Sequence, residues 1–168
     1  MAVEARIVRH TLSVIVDNEP GVLARVVGLF SGRGYNIESL TVAEVDKASH
    51  TSRITLVTSG TPAVIDQIQA QLGRLVPVHR VVDLTLEHPG VEREMALVKV
   101  AGAKREEAVR RSGEFRAEVV DTTDASCIFA VADSPARIDA FIEAMRPLGL
   151  VEVSRTGVAA IAKGPEAM

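Results

Sequence analysis

Residues 12–40, LSVIVDNEPGVLARVVGLFSGRGYNIESL, decide how the rest of the chain is read. Leu12, Val14 and Val16 alternate with the polar Thr11 and Ser13, the two-residue period of a half-buried strand. After an abrupt turn, Val22, Leu23, Val26, Val27 and Phe30 recur as one helical stripe that runs to Ser31. Pro20 fixes its own φ and disfavours helical dihedrals at Glu19, so the helix is expected to begin at Pro20 with Glu19 as its flanking residue. The N–H groups of Gly21, Val22 and Leu23 then have no acceptor within the helix. With the positive end of the helix dipole they form a small anion site. Gly21 has no Cβ, which lets a ligand approach the backbone, and Asn18 can aim an amide at the same place. Gly32 and Gly34 permit the left-handed stop of the helix, and Tyr35-Asn36 leads into the next strand. The residues alone leave two readings of the turn, an ordinary helix start or a ligand site. Asn36 is equally a left-handed turn residue or a site residue.

Outward from this stretch, the pattern continues as strand 37–45, a polar hairpin tip at Asp46-Lys47-Ala48-Ser49, and a β-branched strand 51–58. Thr61-Pro62 opens a helix with the stripe Val64, Ile65, Ile68, Leu72 and Leu75, and residues 78–86 form a fourth strand. The order is βαββαβ, which predicts an antiparallel four-stranded sheet with two helices on one face. Glu87-His88-Pro89-Gly90 has linker composition, and the same order then repeats. The repeat comprises strand 95–100, a charged helix 104–113, strands 116–121 and 127–132, a helix opened by Ser134-Pro135, and a last strand from Leu150. That strand is continued or repaired around 157–162, and the tail from Lys163 is expected to fray. The repeat is one of architecture, not of sequence. The helix-free face of the first sheet is expected to carry Val, Ile and Leu, more than solvent tolerates as one patch. Self-association through that face, or through the edge strand at 37–45, is the simplest remedy.

The totals narrow the function. With 168 residues, 47% of them hydrophobic, the chain holds one domain or two small ones; aromatics at 3% leave a core of Val, Leu, Ile and Ala. A net charge of −3 argues against a general nucleic-acid binder, and the strand SRITLV at 52–57 lacks the aromatics that stack bases. No apolar run reaches the about 18 residues of a membrane span, and MAVEARIVRH has no signal core, so a cytoplasmic protein is the expectation. Cys127 is the only cysteine, which excludes an internal disulfide and a cysteine metal cluster. His10, His50, His79 and His88 are dispersed and read as surface residues rather than metal ligands. Glu106 and Glu107 precede Arg110 and Arg111 by four residues, the pattern of a solvated helix with ion pairs. No nucleophile elbow, P-loop or G-x-G-x-x-G is present, and the arginines do not lie in the first turn as an acylphosphatase-like loop requires.

The turn D-N-E-P-G-V-L at 17–23 resembles that of the ACT domain, a small amino-acid-binding module. The longer string from Asn18 through GLFSGRGYNIESLTV at 28–42 is similar to the regulatory (small) subunits of acetohydroxyacid synthase, also called acetolactate synthase. The likeness continues at V-E-R-E-x-x-L-V-K-V, residues 91–100, and so covers nearly the whole chain. It implies an α+β fold of two ferredoxin-like βαββαβ sandwiches in tandem: an ACT domain over 8–86 that dimerises and holds an effector, and a C-terminal domain over 95–163. The implied effector site comprises Asn18, Gly21, Val22, Leu23, Asn36 and Ile37. The α-carboxylate of a free amino acid would take the N–H groups near Gly21 to Leu23, with Asn36 reaching in from the partner chain. Val22 and Ile37 would enclose its aliphatic tail. The resemblance further implies a non-catalytic subunit with no catalytic residue, metal or cofactor of its own. Thiamine diphosphate, Mg²⁺ and FAD would sit on the catalytic large subunit, which this chain would activate and make sensitive to valine or another branched-chain amino acid. A free-standing amino-acid sensor with another target would carry the same pocket, and co-purification with the large subunit separates the two.

Overall fold

In the computed structural model, residues 6–86 and 90–167 are described; the expected linker residues Glu87, His88 and Pro89 lie outside them. The chain forms two compact units, one running to Val91 and joined by the stretch from Val158 onward, the other Glu92–Gly157.

The first unit contains β1 (Val8–Asp17), α1 (Val22–Arg33), β2 (Ser39–Asp46), β3 (Thr51–Gly60), α2 (Pro62–Leu72) and β4 (Val78–Asp83). Its antiparallel sheet has the order β2-β3-β1-β4, with Leu12 opposite Leu56 and Val14 opposite Ile54. Those four and Val16 point at the helices, where they bury against Val22, Val26, Phe30, Ile65, Ile68 and Leu72. Burial of each such side chain contributes roughly 1.5–3 kcal/mol, against the entropy of ordering it. At the far end of α1, Gly34 takes a φ of 71° and Tyr35 N–H donates to the Phe30 carbonyl at 3.0 Å, which closes the helix. Gly32 is still helical and takes no part in that stop.

The other face of this sheet differs from the expected patch of Val, Ile and Leu. Alternation puts Thr11, Ser13 and Thr55 there, all buried, beside Val57 and Val82. They are covered by a short strand from the end of the chain, β9 (Ala159–Ala162). Val158, Ala160 and half-buried Ala162 pack on Val57, Val82 and Leu84. Residues from Val158 onward thus pack with the first unit, while β9 is hydrogen-bonded to β5. Val158, Ala160 and Ala162 alternate as a strand must, but alternation does not say what their side chains pack on.

The second unit is built from β5 (Gly90–Ala101), which starts at the end of the first, then α3 (Arg105–Ser112), β6 (Glu118–Thr122), β7 (Ser126–Asp133), α4 (Pro135–Met145) and β8 (Leu150–Arg155). The strand order β6-β7-β5-β8 reproduces that of the first sheet. Ala96, Val98, Val100, Phe129, Ile138, Phe141 and Met145 form its core, with Phe129 and Phe141 edge-to-face at 6.1 Å between ring centres. Cys127 is buried in that core as a small apolar residue. Glu94, from the VERE motif, is buried and takes a two-pronged hydrogen bond from Arg155, both distances 2.7 Å. Glu94, and Asp139 after it, hold the Arg155 guanidinium above its ordinary pKa. Expected pairs within α3 do not appear; Arg111 turns instead to Glu114 at 3.8 Å.

Candidate functional site

The turn between β1 and α1 is the chemically distinctive place in the first unit. Glu19-Pro20-Gly21-Val22 is a type II turn: Pro20 occupies the second position, Gly21 the third with φ 87° and ψ −9°, and Val22 N–H reaches the Glu19 carbonyl at 3.4 Å. The helix consequently begins at Val22, two residues later than the Pro20 start expected from the sequence. A residue with a side chain is strained at that φ, and a Cβ built on Gly21 meets no atom within 4 Å. The first bond inside the helix runs from Arg25 N–H to the Gly21 carbonyl, 3.0 Å. Ahead of it, the N–H groups of Leu23 and Ala24 find no acceptor among the described residues. No side chain caps this end, and the first turn holds no acidic residue. The result is an exposed, uncrowded set of amides at a positive dipole end, able to take a carboxylate.

Around it, Asn18 N–H donates to the carbonyl of His50 (2.6 Å), and Asn18 Nδ2 donates to Glu44 Oε1 (3.2 Å), which ties the turn to the far end of β2. Arg25 Nη1 holds the Val76 carbonyl at 2.8 Å, and Asp17 Oδ1 lies 2.5 Å from His79 Nε2. Leu23 is 40% exposed, whereas Val22 is 4% exposed and packs into the core with Val26 and Phe30. Of the two, Leu23 is the apolar side chain exposed at the turn. Asn36 and Ile37 lie beyond the other end of α1, where the Asn36 carbonyl accepts from Thr58 Oγ1 at 2.7 Å and Ile37 is half-buried against the core. A helix of 12 residues is roughly 18 Å long, so one copy of the chain does not bring Asn36 to Gly21.

Comparison with known proteins bears on both units. Residues 12–80 match the family described as the AHAS small subunit-like ACT domain, and residues 93–164 the family described as the small subunit of acetolactate synthase. The isozyme 3 acetolactate synthase small subunit of Escherichia coli is 43% identical over 163 residues, covering 95% of this chain and 99% of that one. The chain belongs to the acetolactate synthase small-subunit family. A probable small subunit from Archaeoglobus fulgidus is 42% identical, covering 93% of this chain and 98% of its own length. A crystal structure of the Thermotoga maritima small subunit superposes with a TM-score of 0.84 at 32% identity, covering 95% of this chain and 99% of that one.

In the ACT domain of this small subunit, sequence reasoning singled out the turn but missed what holds it. Glu44 and His50 are 26 and 32 positions from Asn18, and only the β2–β3 register brings them to it. His10 is also not the surface residue expected. It is 1% exposed, with Nδ1 2.6 Å from Oδ2 of the equally buried Asp83. No group of three or more His, Cys, Asp or Glu that could hold a metal occurs among the described residues, and no described helix is long and apolar enough to cross a membrane.

Proposed function

We propose that this small subunit is a non-catalytic regulator that binds valine, or another branched-chain amino acid, between two copies of its ACT domain and transmits that binding to the catalytic large subunit. In this reading the large subunit carries thiamine diphosphate, Mg²⁺ and FAD, the small subunit raises its activity, and the complex works in the cytoplasm. The observation that carries the proposal is the uncapped start of α1, opened by the left-handed Gly21 and with no acidic residue in its first turn. The ligand carboxylate accepts from the amides there, each charge-assisted bond contributing roughly 1.5–3 kcal/mol.

The need for a second copy follows from the separation of Gly21 and Asn36. β2 lies at the edge of the sheet, with Val42 and Val45 exposed. A second copy added antiparallel along that edge, about a two-fold axis, sets the start of one β2 beside the end of the other. Glu44 lies near that end and holds Asn18. The partner's Asn36 therefore arrives at the turn. The support for a dimer rests on this edge, since the face first held responsible is covered by β9. An effector bound across the pairing favours the geometry that binds it better, and a coupling of about 1–3 kcal/mol is enough for feedback control.

Reconstitution with the large subunit, assayed with and without valine, tests the reading. Gly21→Asp places a carboxylate where the ligand carboxylate binds, and it should abolish inhibition by valine while leaving activation intact. Asn36→His should weaken inhibition in the same assay. Normal valine inhibition of the Gly21→Asp complex would count against the site.

A further inference from the structure

On the helix-free face of the first sheet, Ile15 of β1 stands opposite Arg53 of β3 on one side and Arg80 of β4 on the other. Directly opposed residues share a face, so two guanidinium groups flank one side chain, their Cα atoms roughly 10 Å apart across three strands. Among the described residues neither has a carboxylate partner. Arg53 Nη1 donates to the Ala160 carbonyl at 3.3 Å, and Arg80 Nη1 to the Ala167 carbonyl at 3.4 Å. Asp17, two residues further along β1 on this face, is occupied by His79. Next to Arg53, Ser13 is fully buried and its Oγ has no hydrogen-bond partner; Arg53 Nε is buried and equally unpaired. Buried polar atoms left without a partner are uncommon and call for a missing one. Here the two orphans, one hydroxyl and one cationic donor, face the same side of the sheet.

The cover over them is one short strand of four residues. Its apolar contacts come from Val158, Ala160 and Ala162; β9 pairs with β5, Val158 N–H donates to Ser39 Oγ at 2.9 Å, and the two arginines bond main-chain carbonyls of the segment. A short strand with few buried side chains opens locally without unfolding the rest. Both arginines meet neutral carbonyls at long distances, where an anion would make shorter and stronger bonds.

We propose that this face is a binding site for a small oxyanion of the phosphate or carboxylate class, gripped by Arg53 and Arg80 with Ser13 Oγ donating. Residues 158–167 close it by offering main-chain carbonyls in the anion's place. The segment and the anion compete for the same donors, so each weakens the binding of the other.

Hydrogen exchange on the full-length chain tests this, with inorganic phosphate titrated at ionic strength held constant by sodium chloride. Exchange of the amides in 158–162 should accelerate saturably with phosphate while β1 and β3 stay protected. Arg53→Gln should lose the acceleration, and so should Arg80→Gln, whose exposed position keeps folding out of the question. Val158→Ser, which loosens the cover in an intact chain, should respond at lower phosphate. Gly21→Asp removes the effector site and should respond as the unsubstituted chain does, which keeps this proposal separate from the one above. Exchange in 158–162 that ignores phosphate, that follows chloride equally, or that responds unchanged in both arginine variants would overturn it; water alone would then fill the two orphaned positions.

Discussion

The two units share a strand order and a pair of helices on one face, yet their first helices begin in opposite ways. α1 follows a Pro-Gly turn, with no capping side chain and no acid in its first turn. α3, its counterpart, carries Glu106 and Glu107 in that turn, so its positive end is already neutralised by its own chain. The same fold thus offers one vacant anion position and one filled one. The helix-free faces differ as well. In the first unit that face is rich in hydroxyls and is covered by β9, whereas in the second it exposes Met95 and Leu97 to solvent. Leu97, Lys99, Ile128, Glu152 and Ser154 line a shallow cavity of about 180 Å³ there, where Lys99 pairs with Glu152 at 2.7 Å. Shared topology fixes where the helix starts lie. The residues placed at those starts decide which of them can bind.

The comparison is sharpened first by what the units have in common. Phe30 and Phe141 occupy the two cores, 1% and 0% exposed. Phe30→Ala and Phe141→Ala should each cost about 3–5 kcal/mol in urea unfolding followed with probes in the respective unit. A cost near zero in either would mean that unit lacks the packing described. The Glu94–Arg155 pair lies in the second unit. Arg155→Met leaves Glu94 buried without its partner, and the loss should be about 2–3 kcal/mol by thermal unfolding. That is below the value for a fully enclosed pair because the Arg155 side chain is 36% exposed. An unchanged midpoint would show Glu94 to be satisfied by other means. The smallest effect bears most on function. Leu23→Glu gives α1 the acidic first turn that α3 has, and should stabilise the helix by about 0.3–1 kcal/mol while weakening valine binding. Valine affinity left intact by that substitution would break the contrast between the two helix starts.

Much of this was legible in the sequence. The two periodicities placed β1 to β8 and the four α-helices, because Leu12-Val14-Val16 and Ile138-Phe141-Ile142-Met145 leave little choice of face, while β9 was read only as a continuation of β8. The start of α1 was misplaced because Pro is favoured both at the first position of a helix and at the second position of a type II turn. The left-handed Gly21 selects the turn, and the sequence does not reveal that dihedral. The cover of the first sheet was hidden for a different reason. Thr11 and Ser13 were visibly polar, but their burial depends on a strand nearly 150 residues away in the chain. The ties from Asn18 to Glu44 and His50 are likewise long-range, set by the hairpin register and not by any local motif.

The central claim is that one site is made by two copies, with the turn at Gly21 from one and Asn36 from the other. Mixing tests it directly. Gly21→Asp dimers should give no valine heat by calorimetry, and Asn36→His dimers little. After the two are unfolded together and refolded as mixed dimers, one of the two sites in each mixed dimer regains an unaltered turn and an unaltered partner's Asn36. The account predicts that valine binding returns, at one site per mixed dimer. If the mixture stays as silent as its parents, Gly21 and Asn36 do not meet across an interface, and the shared site is wrong.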